Sequence, residues 1–374
     1  MANPPFQLSL QTAQEGKNLP SAQFPSNLTP PVTPTAKENR PASPSQDTKA
    51  EQSLPISKDN VSTLQFTDDL EICRDADNHS FEFGRGLWSI VYKARSSSRN
   101  QTNLPGTPPS SPISTSQVLA VKAPLRRDAR PVLKAEALTL TRLTRTPGHE
   151  QHIVPFHGYH AELGALVMTA IPTSLAGYIE EQAVLARAHT RNRNHLARKL
   201  ISGLDWLHRV AGFVHGDIKP HNILLRAGSG GDFPYEPLFI DFSATVEMQT
   251  DEGSGLDTTR ASMSSFTPPF TAPEMLASLM SGEMAPTAAS DVFSLAATLL
   301  AAATGDLLLY PNMNHRLRLE MARAGHQIVD FARSGMSGSR VPRGGFVERI
   351  VKPAVVKDPD MRISTAEWVK LASA

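Results

Sequence analysis

Cysteine is almost missing: Cys73 is the only one in 374 residues. No intrachain disulfide framework can form, and a reducing compartment is expected. Net charge is almost missing too, with 37 Lys plus Arg against 36 Asp plus Glu. That balance points to neither a nucleic-acid partner nor an acidic tail. No basic segment followed by an apolar run opens the chain, so no secretory signal is expected and the cytoplasm or nucleus is the expected location. Nor is there an unbroken apolar run of membrane length. The longest, Val292 to Tyr310, is Ala-rich and interrupted by Gly305 and Asp306. It reads as a buried core helix, so no membrane insertion is expected.

Proline, by contrast, is plentiful at 30 residues. Residues 1–60 combine it with Ser, Thr, Gln and Asn, and their apolar residues are scattered singly. Such a segment cannot bury enough surface to offset its ordering entropy, and it reads as a disordered tail. Residues 96–116 repeat the composition and read as a disordered insertion in a hairpin connection, where extra length costs little. Thr29-Pro30, Thr33-Pro34, Ser43-Pro44, Thr107-Pro108 and Ser111-Pro112 would suit proline-directed kinases, and equally suit plain Pro-rich linkers. Asn27-Leu28-Thr29 matches a glycosylation acceptor, which without a secretory signal carries little weight.

The length suffices for two packed lobes, and folding is expected from about Leu64. Ser80–Phe83 and Ile90–Ala94 alternate like two strands around Gly84-Arg85-Gly86-Leu87-Trp88-Ser89. Its glycines let the turn close over a ligand with no side chain in the way. Val118–Lys122 is a short apolar strand ending in a lysine, and Val132–Leu143 has helical apolar spacing and carries Glu136. Ile153–Tyr159 and Ala165–Met168 read as two more strands, and Thr169–Thr173 as a hinge to a second, helical part. There Ser174–Gln182 reads as a short helix and Val184–Val210 as a long one, with Leu196, Leu200, Ile201, Leu204 and Leu207 on one stripe. Arg187, Arg191, Arg193, Arg198 and Lys199 fall on its other faces, either as a solvated surface or as a dock for acidic peptides.

The chemistry concentrates in His215–Leu225. Asp217, Lys219 and Asn222 stand close together on a short loop whose flanks, Phe213-Val214 and Ile223–Leu225, read as buried. Polar groups held at such a rigid edge are explained by chemistry better than by packing. After a Gly/Pro turn over 228–237, Asp241 closes the apolar strand Pro237–Ile240. That is a costly place for a carboxylate unless a cation meets it.

Taken in order, these residues resemble the motifs of Ser/Thr protein kinases over roughly residues 66–374. Gly84 to Val91 resembles the Gly-rich loop, with Ser89 in place of its third glycine; His215 to Asn222 resembles the catalytic loop. Asp241-Phe242-Ser243 resembles D-F-G, and Ala272-Pro273-Glu274 is an intact A-P-E. The resemblance implies a bilobal α+β fold. Residues 61–172 would form a small five-stranded antiparallel β lobe with one main helix, and residues 173–374 a larger, mainly helical lobe. It also implies ATP and Mg2+ as cofactors and a protein Ser/Thr hydroxyl as acceptor. Phe83, Gly84, Gly86, Val91, Ala120 and Met168 would line the nucleotide, Met168 guarding the back of the pocket. Lys122 would meet the α- and β-phosphates and Glu136 would orient Lys122. Asn222 and Asp241 would hold magnesium, Lys219 would meet the γ-phosphate, and Asp217 would accept the hydroxyl proton. Thr267 would bridge Asp217 and Lys219, Asp291 would anchor the catalytic-loop backbone, and Arg362 would pair with Glu274.

Three departures from the pattern matter. Ser89 is expected to stiffen the loop over the phosphates, and Ser243 replaces the D-F-G glycine. Gly216 stands where many kinases carry Arg, so it has no side chain to offer a phosphate on Thr258, Thr259, Ser262, Ser264 or Ser265. Activity without phosphorylation of that segment is therefore expected. His-Gly-Asp also occurs in small-molecule kinases that phosphorylate antibiotics or choline, and a binding scaffold without turnover is a third reading. Lys219, Thr267 and the A-P-E segment favour a protein acceptor, and the complete set Lys122, Glu136, Asp217, Asn222 and Asp241 favours turnover.

Overall fold

The computed structural model describes residues 61–97, 117–185, 190–228, 234–248, 267–278, 285–310 and 314–374. The expected tail 1–60 and residues 98–116 of the expected insertion lie outside the described residues.

Strands β1 (Asp69–Ile72), β2 (Glu82–Arg85), β3 (Ser89–Ser97) and β4 (Val118–Pro124) precede helix α1 (Arg130–Leu143), and β5 (Phe156–His160) and β6 (Ala165–Thr169) follow it. All the strands join one antiparallel sheet in the order β1/β2, β3, β4, β6, β5. Its five strand positions match the expected count, but six segments fill them. β1 and β2 lie end to end on the same edge of β3, the first opposite Ala94–Ser97 and the second opposite Ile90–Tyr92. Between them the chain leaves the ladder for a turn in which Asp75 Oδ1 accepts from the amides of Asp77 and His79. Asp-Ala-Asp-Asn-His has no apolar face to hold it in a sheet, and Asn78 adopts the left-handed φ of 64° that favours a turn. Strand β5 starts later than the expected Ile153, because Pro155 has no N–H to donate.

The far edge of the sheet is closed by residues 64–66. Tyr159 donates its amide to Leu64 O (2.8 Å), and Phe66 donates to Tyr159 O (3.1 Å). Leu64 also donates its amide to Thr141 Oγ1 on α1 at 3.0 Å, so this short strap ties the edge strand to the helix. Gly158 makes the approach feasible: at φ 141° a Cβ there would sit 2.7 Å from the carbonyl carbon of Gln65. Gly158→Ala should cost roughly 1–3 kcal/mol, because the atoms it meets are backbone and cannot swing away. Deleting residues 1–60 should leave the strap and a cooperative melt intact. Thermal unfolding of the two variants checks both, and loss of cooperativity on the deletion would give the tail a place in the fold.

The second lobe is mainly helical. Helices α2 (Leu175–Leu185) and α3 (Thr190–Asp205) answer to the short and long helices expected over 174–182 and 184–210, except that Val184 and Leu185 belong to α2; α3 passes into a π turn at Trp206–Val210. The apolar stripe that marks the longer helix begins at Leu196, so its periodicity did not fix where that helix starts. Short strands β7 (Phe213–Val214), β8 (Ile223–Ala227), β9 (Tyr235–Phe239) and β10 (Val246–Glu247) pair as β7–β10 and β8–β9. The expected turn is shorter than read, since Tyr235 to Pro237 already belong to β9. Helix α4 (Pro273–Ser278) leads to α5 (Ala288–Thr304), and α6 (His315–Arg323), α7 (Ile328–Ser334), α8 (Phe346–Val351) and α9 (Thr365–Ser373) complete the lobe. The apolar run from Val292 is the buried core helix expected of it, although α5 ends at Thr304, where Gly305 takes the left-handed φ of 74°. Among the described residues no helix is long and apolar enough to cross a membrane.

Candidate active site

Period-two alternation decides what β4 offers to each face. Val121 packs with Ala94 and Ala165 on one side, which leaves Ala120 and Lys122 on the other. Pairing carries that face across the sheet: Val91 lies opposite Lys122, Gly84 opposite Val91, and Met168 opposite Ala120. Phe83 sits at a register shift between Glu82 and Gly84. The turn that follows is tight, with Gly86 N donating to Ser89 O at 2.8 Å. A Cβ on Gly84 would meet nothing within 4 Å, so the space over this turn stays open for a ligand. Ser89 itself is buried.

Lys122 Nζ lies 2.8 and 2.7 Å from the two carboxylate oxygens of Glu136 on α1, and 2.8 Å from Asp241 Oδ1. Burial works against a charged Lys122, but the Asp241 and Glu136 carboxylates outweigh it and raise its pKa above the ordinary value. Burial pushes the Glu136 carboxyl upward, and Lys122 pulls it back. Burial likewise opposes ionisation of Asp241, yet the Lys122 ammonium prevails and holds its pKa below the usual carboxylate range. The pair Lys122–Glu136 expected from the resemblance is therefore formed, and Asp241 joins it across the two lobes.

The loop from His215 to Asn222 hangs from a single buried carboxylate. Asp291 on α5 accepts the amides of His215 (2.7 Å) and Gly216 (3.0 Å), and its Oδ2 also meets His208 Nε2 at 3.0 Å. The His215 ring locks the next step: Asp217 N donates to its Nδ1, so Nε2 carries the proton and donates to Ile240 O. Gly216 is required by its backbone. Its φ is 83°, and a Cβ would fall 2.5 Å from Ala244 O and 3.0 Å from Pro286. The chain after Asp241 thus packs directly on the loop, and Thr245 Oγ1 donates to His215 O at 3.1 Å. Beyond it β10 pairs with β7, and Glu247 meets Arg142 of α1 at 2.9 Å. Thr258, Thr259, Ser262, Ser264 and Ser265 lie outside the described residues.

Lys219 Nζ donates to Asp217 Oδ2 at 2.7 Å and reaches Thr267 Oγ1 at 3.5 Å, bringing these three side chains together. Asn222 Nδ2 donates to both the backbone oxygen and Oδ2 of Asp217, each at 2.9 Å. Burial raises the Asp217 carboxyl above its ordinary value, and Lys219 pulls it part of the way back. A carboxylate made more basic in this way suits proton acceptance.

The donor set also fits magnesium. With its Nδ2 committed to Asp217, Asn222 would offer its amide oxygen to a metal. Asp241 supplies a carboxylate, and hard oxygen donors of this kind, few in number, are what magnesium takes beside phosphates. Further away, Arg362 forms the expected pair with Glu274, bidentate at 2.6 and 2.7 Å. Sequence reasoning missed the hydrogen bonds of His208 to Asp291 and of Ser243 Oγ to Asp241 Oδ1 (2.8 Å). Only the unusual residue at position 243 could have drawn attention to the second.

The comparisons with known proteins agree with this geometry. A family model described as "Protein kinase domain" matches residues 112–371. The chain is similar to serine/threonine-protein kinase PknK of Mycobacterium tuberculosis, 28% identical over 290 residues covering 76% of this chain and 22% of that protein. PknK of Mycobacterium bovis is 27% identical over the same length. EKC/KEOPS complex subunit BUD32 of Cryptococcus neoformans is 34% identical over 65 residues, 17% of this chain and 22% of its own. The match thus covers 22% of the length of each of these relatives.

Proposed function

This chain belongs to the protein kinase family, and from that premise we propose that it transfers the γ-phosphate of Mg-ATP to a serine or threonine hydroxyl of a protein. One observation carries the choice of acceptor: Lys219 joins Asp217 to Thr267, so the proton-accepting carboxylate is tied to the segment that leads into A-P-E. Phosphoryl transfer asks a protein mostly for positioning and charge neutralisation. Lys122, held by Glu136, meets the α- and β-phosphates, while Gly84 and Gly86 let the loop backbone approach them. Phe83, Val91, Ala120 and Met168 enclose the base. Lys219 meets the γ-phosphate, and Asp217 takes the hydroxyl proton as the new P–O bond forms and the bond from the γ-phosphorus to the bridging oxygen breaks, releasing ADP. Asn222 and Asp241 hold magnesium, which when bound neutralises phosphate charge.

The segment that follows Asp241 is docked as far as Glu247 by the backbone at Gly216, by Thr245 and by β10. That docking supports activity without phosphorylation of the segment. The proposed location is the cytoplasm or nucleus, with the Thr-Pro and Ser-Pro pairs of the tail as sites for proline-directed kinases. The division at 172/173 between the lobes belongs to the same proposal.

Asp217 must be ionised to accept a proton, so kcat/KM should fall as pH drops through its pKa. The acid limb should therefore lie above the ordinary value of 3.8, since burial raises the group. Lys219→Met removes the downward pull and should move the limb further up, besides lowering the plateau. Peptide phosphorylation between about pH 4 and 8 measures both. A limb that Lys219→Met leaves in place would take Asp217 out of the base role. No ATP-dependent labelling of any Ser/Thr peptide would remove the proposed function.

A further inference from the structure

Given the phosphoryl-transfer function proposed above, we infer that Ser243 is a positioning residue whose hydroxyl fixes the Asp241 carboxylate and keeps one of its oxygens for magnesium. Two donors converge on Oδ1 of Asp241: Lys122 Nζ and Ser243 Oγ, each at 2.8 Å. Among the described residues no donor meets Oδ2. The two holds differ in permanence. Lys122 is a long side chain already shared with both oxygens of Glu136, and in the proposed reaction it also turns to the nucleotide phosphates. Ser243 is short, sits two residues from Asp241, and belongs to the turn Phe242–Ala244. That turn is itself fixed, since Phe242 is buried and donates its amide to Glu136 Oε1 at 3.2 Å. Ser243 therefore keeps its grip when Lys122 is drawn toward phosphate, which a glycine at this position could not do.

The backbone gives that grip work to perform. Asp241 adopts φ 63° and ψ 74°, a left-handed conformation uncommon for a side-chain-bearing residue. Its side chain is a third exposed, so packing alone does not set its rotamer. Hydrogen bonds behind a ligating carboxylate orient it toward the metal, and losing one typically costs about 10–100-fold in metal affinity. The lower end applies here, because Ser243→Ala leaves the fixed turn Phe242–Ala244 in place.

The test is a binding measurement on the full chain with a fluorescent ATP analogue, titrating Mg2+ and repeating the titration in EDTA. Ser243→Ala should require about tenfold more Mg2+ for half-maximal enhancement of nucleotide binding, with affinity in EDTA unchanged. Ser243→Thr, which keeps the hydroxyl, should restore most of the difference. Thermal melts confirm that each variant folds as the parent does. The inference is overturned if Ser243→Ala needs no more Mg2+, if it loses metal-free affinity in parallel, or if a folded Ser243→Thr behaves like Ser243→Ala. A parent chain that binds no nucleotide under either condition overturns the phosphoryl-transfer function itself, a result distinct from the other three.

Discussion

Asp217→Ala should lower peptide phosphorylation by about 10²–10⁴-fold while ATP still binds as it does to the parent chain. The base touches the acceptor hydroxyl, not the nucleotide, so only the chemical step loses its partner. Lys122→Ala should be at least as damaging to turnover but should also weaken ATP binding, for two reasons. It removes the cation that meets the phosphates, and it leaves the buried Glu136 carboxylate without the ammonium now 2.7 Å away. Nucleotide titration beside steady-state kinetics separates the two variants. Wild-type-like turnover by either would remove that residue from the mechanism, and loss of ATP binding in Asp217→Ala would make Asp217 a structural residue.

The second large effect is expected far from the chemistry. Glu274→Ala should destabilise the fold by about 3–5 kcal/mol, as removal of one partner from a buried ion pair does. Arg362 is only 1% exposed at its side chain. Its guanidinium also donates to Ala289 O (2.8 Å) and Val356 O (3.1 Å) and lies 5.2 Å from the Phe293 ring centroid. It cannot swing out to water when the carboxylate is gone. The comparison is Glu320→Ala, which breaks the Arg323–Glu320 pair, exposed at 45% and 56%. An exposed pair is worth about 1 kcal/mol or less. Denaturant unfolding of both variants reads the difference, and equal losses would mean that Arg362 finds another partner.

How much of this was legible in the sequence follows from the range of each signal. Lys122, Asp217 and Asn222 stood out because polar groups flank apolar strands, and Asp241 because a carboxylate closes one. The strand and helix periods around them set their order along the chain, and with it the sheet and core helix. The end-to-end pairing of β1 and β2 on β3 was hidden, since alternation in Asp69–Ile72 is too short to announce a strand. Two helices over 174–210 were legible but their boundary was not: the apolar stripe begins only at Leu196, so Val184 and Leu185, which close α2, were assigned to the next helix. Gly216 was read as a missing side chain, whereas its backbone φ and the approach of Ala244 make it a required glycine. No local pattern encodes that contact, nor the hydrogen bond of His208 to Asp291. Both depend on where distant elements come to rest.

Phosphoryl transfer to protein is tested most directly by offering the purified chain Mg-ATP with a degenerate Ser/Thr peptide pool and, separately, with a panel of small alcohols. Asp217→Ala serves as the blank. Phosphate should appear on serine or threonine of the peptides, stay at the blank level on the alcohols, and persist after phosphatase treatment of the chain. Labelling of the alcohols and not of the peptides, or tight nucleotide binding with no transfer to either, would contradict it.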